Sequence, residues 1–152
     1  MKPRSAARRL ALDVLYEAEI RDLLPNDAFS ARVEQGWVDG GSDERDGDPD
    51  VGPSPDAIEY ARYLVGGVQE HHAEIDRLIV AYADHWTIER MPVVDRNVIR
   101  IALFELMWGA DVPVPVAINE AVELVKSLST DDSGRFVNGL LGRIAETHGT
   151  EA

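Results

Sequence analysis

The sequence contains no cysteine among its 152 residues, which excludes a disulfide framework, a thiolate metal site and a cysteine nucleophile. Long apolar runs are also missing: the richest stretch, residues 98–108, contains Arg100 and Glu105 and is shorter than the roughly 20 residues that span a bilayer. The basic N-terminus lacks the apolar segment of a secretory signal. These absences predict a cytoplasmic protein that does not enter a membrane.

Residue patterns that mark catalysis or metal binding are not found either. No glycine-rich segment has the spacing of a phosphate-binding loop, and the four histidines form neither an HExxH motif nor a ligand set with carboxylates. Paired acids such as Glu120 and Glu123 are common on any acidic helix and do not identify an acid–base pair. We therefore expect a protein that is not an enzyme, with no catalytic residue, no metal site and no cofactor.

Charge is distributed unevenly along the chain. The 28 acidic residues outnumber the 15 lysines and arginines, and the resulting net charge of −13 by itself argues against nucleic-acid binding. Many of the acids lie between residues 39 and 59, in a segment rich in Gly and Pro. This composition predicts a flexible acidic loop at about 37–54. The chain as a whole, residues 1–152, is expected to form a single domain. The first ten residues contain no acid but four basic side chains: Lys2, Arg4, Arg8 and Arg9.

Apolar residues recur at helical spacing, and no run alternates with period two over the length of a strand. The pattern predicts an all-α fold of about seven helices, at approximately 5–20, 27–35, 55–72, 73–84, 92–108, 116–128 and 134–147. The fifth is apolar on nearly every side, which is typical of the buried axis of a bundle. Ser54 is the expected N-cap of the third helix, and the VPVP run at 112–115 is expected to be an extended connector.

Two clusters combine cations with an aromatic ring. The first helix carries the basic residues of the N-terminus together with Tyr16, and guanidinium groups beside a ring can bind phosphates and stack on an unpaired base. Near the start of the last helix, Arg135 precedes Phe136. These residues alone leave two interpretations open, because a solvated arginine beside a core phenylalanine fits the same pattern.

Charged residues also begin the fifth helix, at Asp95, Arg96 and Arg100. Local ion pairs with Glu89 or Asp95 would account for the two arginines. Glu105 lies on an apolar face, so we expect it to be buried with a structural partner.

The runs VVDRNVIRIALFEL, DVPVPVAINEAVELVKSLS and DDSGRFVNGLLGRI, together with the N-terminal PRSAARRLALDVLYEAE, resemble the NusB transcription antitermination family. The resemblance is strongest over residues 3–19 and 93–144. It implies an all-helical fold of two small packed bundles. It also implies a factor that pairs with NusE, a small-subunit ribosomal protein, binds boxA RNA and promotes readthrough by RNA polymerase, notably in ribosomal RNA operons.

The resemblance also implies which residues bind. Its RNA-binding residues correspond to Lys2, Arg4, Arg8, Arg9, Tyr16, Asp132, Arg135 and Phe136. Its NusE-binding residues correspond to Asp95, Arg96 and Arg100. The implied partners are boxA-containing nascent RNA, NusE and the RNA polymerase antitermination complex.

The basic arm is sparser here than the family pattern, since Ala6 and Ala7 occupy a stretch often richer in arginine. The alternative function is therefore a protein-interaction module, or a homodimer, with little RNA affinity of its own.

Overall fold

A computed structural model describes residues 3–36, 53–84, 86–109 and 111–149. Within these ranges the chain forms seven α-helices and no strand, which confirms the all-α prediction. None of these helices has the length and apolar character needed to cross a membrane. The helices are α1 (Pro3–Arg21), α2 (Pro25–Glu34), α3 (Pro55–Glu70), α4 (His72–Tyr82), α5 (Val93–Trp108), α6 (Val114–Leu128) and α7 (Asp131–Ile144). A 3-10 turn (Ile88–Arg90) precedes α5, and a π-helical turn (Ala145–Gly149) follows α7.

The chain divides into two compact units, Met1–Gln69 and Glu70–Ala152. The first unit contains α1, α2 and nearly all of α3, and the second contains the remaining helices. Residues 37–52, which make up most of the predicted acidic loop, lie outside the described ranges, as does Lys2.

Polar contacts join the helices of the first unit. The Glu17 carboxylate of α1 accepts hydrogen bonds from Arg21 Nη1 at 2.8 Å and from Arg32 Nε of α2 at 3.0 Å. The backbone N–H of Asn26 donates to Gln69 Oε1 near the end of α3 at 2.8 Å. Ser54 Oγ accepts from a backbone N–H in the first turn of α3 at 3.1 Å, which confirms the predicted N-cap.

Helix α5 is the apolar centre of the second unit. All residues from Asn97 to Glu105 are buried, so apolar side chains are covered on every side of the helix. The prediction of a buried axis is therefore confirmed, as is the burial of Glu105, which is 1% exposed. Helices α4, α6 and α7 all contact α5.

The observed starts of α6 and α7 differ from the predicted ones for identifiable reasons. Helix α6 begins at Val114, inside the run expected to be an extended connector. Pro115 lies in the first turn of the helix, where backbone N–H groups have no partner within the helix, so a proline costs no hydrogen bond there. Helix α7 begins at Asp131 and not at Gly134, because Thr130 is the N-cap: its side chain accepts from the Ser133 N–H at 3.0 Å.

The link between α1 and α2 predicts a pH dependence. Burial raises the pKa of Glu17, but hydrogen bonds from Arg21 and Arg32 outweigh it, so the pKa lies below its usual value of 4.5. The ionised Glu17 carboxylate thus adds to the free energy of unfolding. This contribution is fully present at pH values above 4.5 and is lost as pH falls through the lower pKa of the folded state. We expect Glu17→Gln to lower the free energy of unfolding at neutral pH and to reduce its loss in acid.

Urea denaturation between neutral pH and about pH 3 measures this effect. Glu34→Gln, at an exposed position at the end of α2, is the matched control and should follow the unsubstituted protein. Equal acid sensitivity of the Glu17→Gln variant and the unsubstituted protein would contradict the assigned role.

Candidate nucleic-acid interface

The predicted RNA-binding residues of α1 lie on two faces of the helix. At 3.6 residues per turn, Arg4 and Arg8 share one face, whereas Arg9 and Tyr16 share another, roughly 140° away from Arg4. The Arg9 side chain is 48% exposed and its Nε lies 3.6 Å from Asp13 Oδ1. Tyr16 is 44% exposed. The second face therefore presents a cation and a ring to solvent two turns apart.

Arg4 and Arg8 face an aromatic ring of α3. The Arg4 guanidinium carbon lies 4.5 Å from the ring centroid of Tyr60, and that of Arg8 lies 5.9 Å from it, both within the range of cation–π attraction. Arg4 is exposed, but Arg8 is only 5% exposed. Arg8 is therefore not exposed for direct contact with a phosphate. Any contribution of Arg8 to RNA binding would act through its neighbours on this face.

The other predicted RNA residues lie at the start of α7. The exposed side chains of Asp132 and Arg135 form an ion pair one turn apart. Phe136 is half-buried and meets Trp86 edge-on, with ring centroids 4.9 Å apart and an interplanar angle of 68°. Phe136 is thus neither a fully buried core residue nor a freely exposed ring.

Trp86 and Phe136 line a groove of about 600 Å³ in the second unit. The exposed lining of the groove is mainly apolar and includes a few polar side chains, so a planar, largely apolar group matches its chemistry. Sequence reasoning missed Trp86, although a tryptophan between two helices, outside any apolar stripe, is a usable signal. The remaining lining residues are Ala83, Asp84, Pro92, Ser129, Thr130, Asp132, Ser133 and Arg143.

The residues assigned to NusE binding make internal contacts. Arg96 Nη1 donates to the carbonyls of Met91 and Ile88, at 2.7 and 3.2 Å. Arg100 donates through Nε and Nη2 to the two carboxylate oxygens of Asp76 on α4, at 2.9 and 3.1 Å. The acid that Arg100 contacts, Asp76, lies 24 residues earlier in the chain and is not one of the local partners, Asp95 and Glu89, that the sequence suggests.

Asp95 is 0% exposed, so its carboxylate is not on the surface of the chain. Ser133 Oγ at the start of α7 donates to Asp95 Oδ2 at 2.6 Å, while Oδ1 has no hydrogen-bond partner among the described residues. The assignment of these three residues to NusE binding stays a prediction, and a role for Asp95 would require an indirect effect or a local opening.

The contact between Asp95 and Ser133 predicts a stability effect. Ser133→Ala would leave the buried carboxylate without its hydrogen-bond donor, and we expect the free energy of unfolding to fall by about 1–3 kcal/mol. Ser127→Ala is the matched control, because exposed Ser127 donates only to a carbonyl of its own helix, so its loss should cost under about 0.5 kcal/mol. Urea denaturation of both variants measures the difference. If the two variants are equally stable, the hydrogen bond between Ser133 and Asp95 does not stabilise the fold.

Known proteins resemble this chain in both sequence and helical structure. The model of the NusB family matches residues 5–146. The transcription antitermination protein NusB of Saccharopolyspora erythraea is 50% identical over 95% of this chain and 88% of its own length. A structure of T. maritima NusB superposes with a TM-score of 0.80 at 33% identity, over 98% of this chain and 94% of that one.

A crystal structure of the antitermination factors NusB and NusE in complex with dsRNA contains a chain with a TM-score of 0.76 and 30% identity. That match covers 97% of this chain and 99% of the other. Both the sequence and the arrangement of helices are therefore shared over almost the whole length. The chain belongs to the NusB family.

Proposed function

We propose that this chain is a transcription antitermination factor that binds RNA together with NusE and promotes readthrough by RNA polymerase. The observation that carries the proposal is the nearly full-length match to a chain seen with NusE and RNA. Relatives named as transcription antitermination proteins, matched over nearly their whole length, support it. The activity is binding and not catalysis, and its site is the cytoplasm, where bacterial transcription takes place.

The proposed RNA contacts use charge that the overall composition conceals. In a chain with net charge −13, Arg9 and Tyr16 present an exposed cation and ring on α1. Arg135 pairs with Asp132, which lines the groove that contains Phe136 and Trp86. Arginine guanidinium groups bind phosphate in bidentate geometry, and aromatic rings stack on bases. The complete proposed set is Lys2, Arg4, Arg8, Arg9, Tyr16, Asp132, Arg135 and Phe136.

The proposed ligand is single-stranded RNA containing boxA. Rings such as Tyr16 and Phe136 can stack only on a base that is not already stacked in a duplex, and A-form helices keep their base edges largely out of reach of side chains. The related complex was formed with dsRNA, so a duplex of the same sequence is the necessary comparison ligand.

A protein-interaction module that relies on NusE for nearly all RNA affinity is the second candidate. It is favoured by the pairing of the exposed arginines with acids of their own helix, Arg9 with Asp13 and Arg135 with Asp132. Exposed apolar side chains at Ile20 and Leu24 are consistent with a protein contact, whether to NusE or to a second copy of the chain.

Titration of labelled boxA RNA with the chain alone, with NusE alone and with both tests the proposal. We expect the mixture to bind more tightly than either protein and to prefer the single strand over the duplex. Light scattering on the free chain detects a homodimer. If the mixture binds no better than NusE alone, the chain contributes nothing to RNA recognition and the proposal is wrong.

Arg9→Ala should weaken RNA binding by the mixture about 3- to 10-fold and reduce the salt slope by about one unit, because one phosphate contact is lost. Arg77→Ala is the matched control, since Arg77 is also exposed and also pairs with an acid one turn away, but it lies outside the proposed interface. Affinities measured across a salt series distinguish the two, and equal behaviour of the variants would remove Arg9 from the interface.

A further inference from the structure

A second aromatic surface lies on α3, beside the first turn of α1. The rings of Tyr60 and Tyr63 are one helical turn apart, with centroids separated by 5.5 Å and planes tilted by 36°. Tyr63 is 45% exposed, whereas Tyr60 is half-buried beneath the guanidinium of Arg4. Neither tyrosine belongs to the RNA-binding set proposed above.

We propose that Tyr63, Tyr60 and Arg4 form an additional nucleotide-binding site, which we term the α3 platform. An unpaired base of single-stranded RNA stacks on the ring of Tyr63, and the adjoining phosphate meets the guanidinium of Arg4. This inference rests on the proposed function and extends the RNA-binding surface of the first unit from α1 onto α3.

The geometry gives the α3 platform a fixed shape. Two guanidinium groups, from exposed Arg4 and buried Arg8, lie within 6 Å of the Tyr60 ring centroid, close enough for cation–π attraction to hold that ring. The Tyr63 ring packs beside the Tyr60 ring, with 5.5 Å between their centroids. A ring ordered before binding loses less conformational entropy when a base stacks on it.

Among the described residues, the charged groups nearest the two rings favour a phosphate-bearing ligand. Arg4 is exposed, and Glu59, the acid adjacent to Tyr60, is paired with Arg62 at 3.5 Å. A cation beside an exposed ring supplies both contacts that a nucleotide needs, and stacking tolerates any base. The exposed area of two rings is also much smaller than the roughly 800 Å² that each partner of a stable protein complex buries. RNA is therefore a better match than a protein surface.

Tyr63→Leu tests the platform, because it removes the aromatic ring but retains apolar bulk at an exposed position. With the intact chain and saturating NusE, we expect the affinity for single-stranded boxA RNA to fall about 5-fold or more. Tyr63→Phe is the matched control and should bind like the unsubstituted chain, because it keeps the stacking face.

The outcomes separate this inference from the proposed function. If Tyr63→Leu binds RNA normally while Arg9→Ala binds weakly, the platform is wrong and the proposed function stands. If Tyr63→Leu lowers the affinity for NusE in the absence of RNA, the surface is a protein contact and the inference is overturned. If the unsubstituted chain adds no RNA affinity to NusE, the proposed function fails and the platform fails with it.

A direct readout is available because the chain contains only four tyrosines. Uniform 3-fluorotyrosine labelling gives one fluorine resonance per tyrosine, each assigned by its Tyr→Phe variant. Saturating RNA should shift the resonances of Tyr63 and Tyr60. An unmoved Tyr63 resonance in a chain that binds RNA would overturn the inference without any change to the fold.

Discussion

Helix α5 carries buried apolar side chains on every side, and apolar packing alone does not determine how its neighbours are aligned. Directional contacts from the first half of α5 supply that alignment. Arg100 binds Asp76 of α4 through two nitrogens, and Asp95 accepts a hydrogen bond from Ser133 of α7. Buried ionised groups are tolerated only with such partners, so each contact permits few alternative arrangements. The charges on α5 therefore orient the helices that surround it.

The arginines of the proposed RNA surface are not bare cations. Arg9 and Arg135 each have an acid one turn away, and Arg4 lies over Tyr60. Exposed ion pairs of this kind are worth about 1 kcal/mol or less, so a phosphate can replace the carboxylate at small cost. In an acidic chain, this arrangement lowers the attraction for polyanions in general and leaves RNA binding dependent on several simultaneous contacts.

The sequence was a good guide to local structure. Helical periodicity predicts the seven helices, and Ser54 predicts the start of α3. The burial of α5 is predicted because apolar residues lie on nearly every side of that helix. The error at Val114 arises because prolines are read as helix breakers, although one is compatible with a first turn. These features depend on residues close together in the chain, and such residues can be assessed without a structure.

Contacts between distant residues could not be predicted in the same way. Sequence patterns reveal neighbours three or four positions apart, so they suggest nearby acids as partners of Arg100 and do not indicate its contact with Asp76. Likewise, nothing in the first helix indicates that Arg4 lies over Tyr60, or that Arg8 is buried beside it. The residues assigned to RNA and NusE binding came from family resemblance, and their roles stay predictions.

The hydrogen bond between Asp95 and Ser133 links the interior to the groove. Ser133 belongs to the first turn of α7, and Phe136 follows it by three residues on the same side of that helix. A shift of the first turn would carry the aromatic wall with it. The width of the external groove thus depends in part on an interior carboxylate, and a loss of ligand affinity caused by a change at Asp95 would not by itself locate Asp95 at an intermolecular contact.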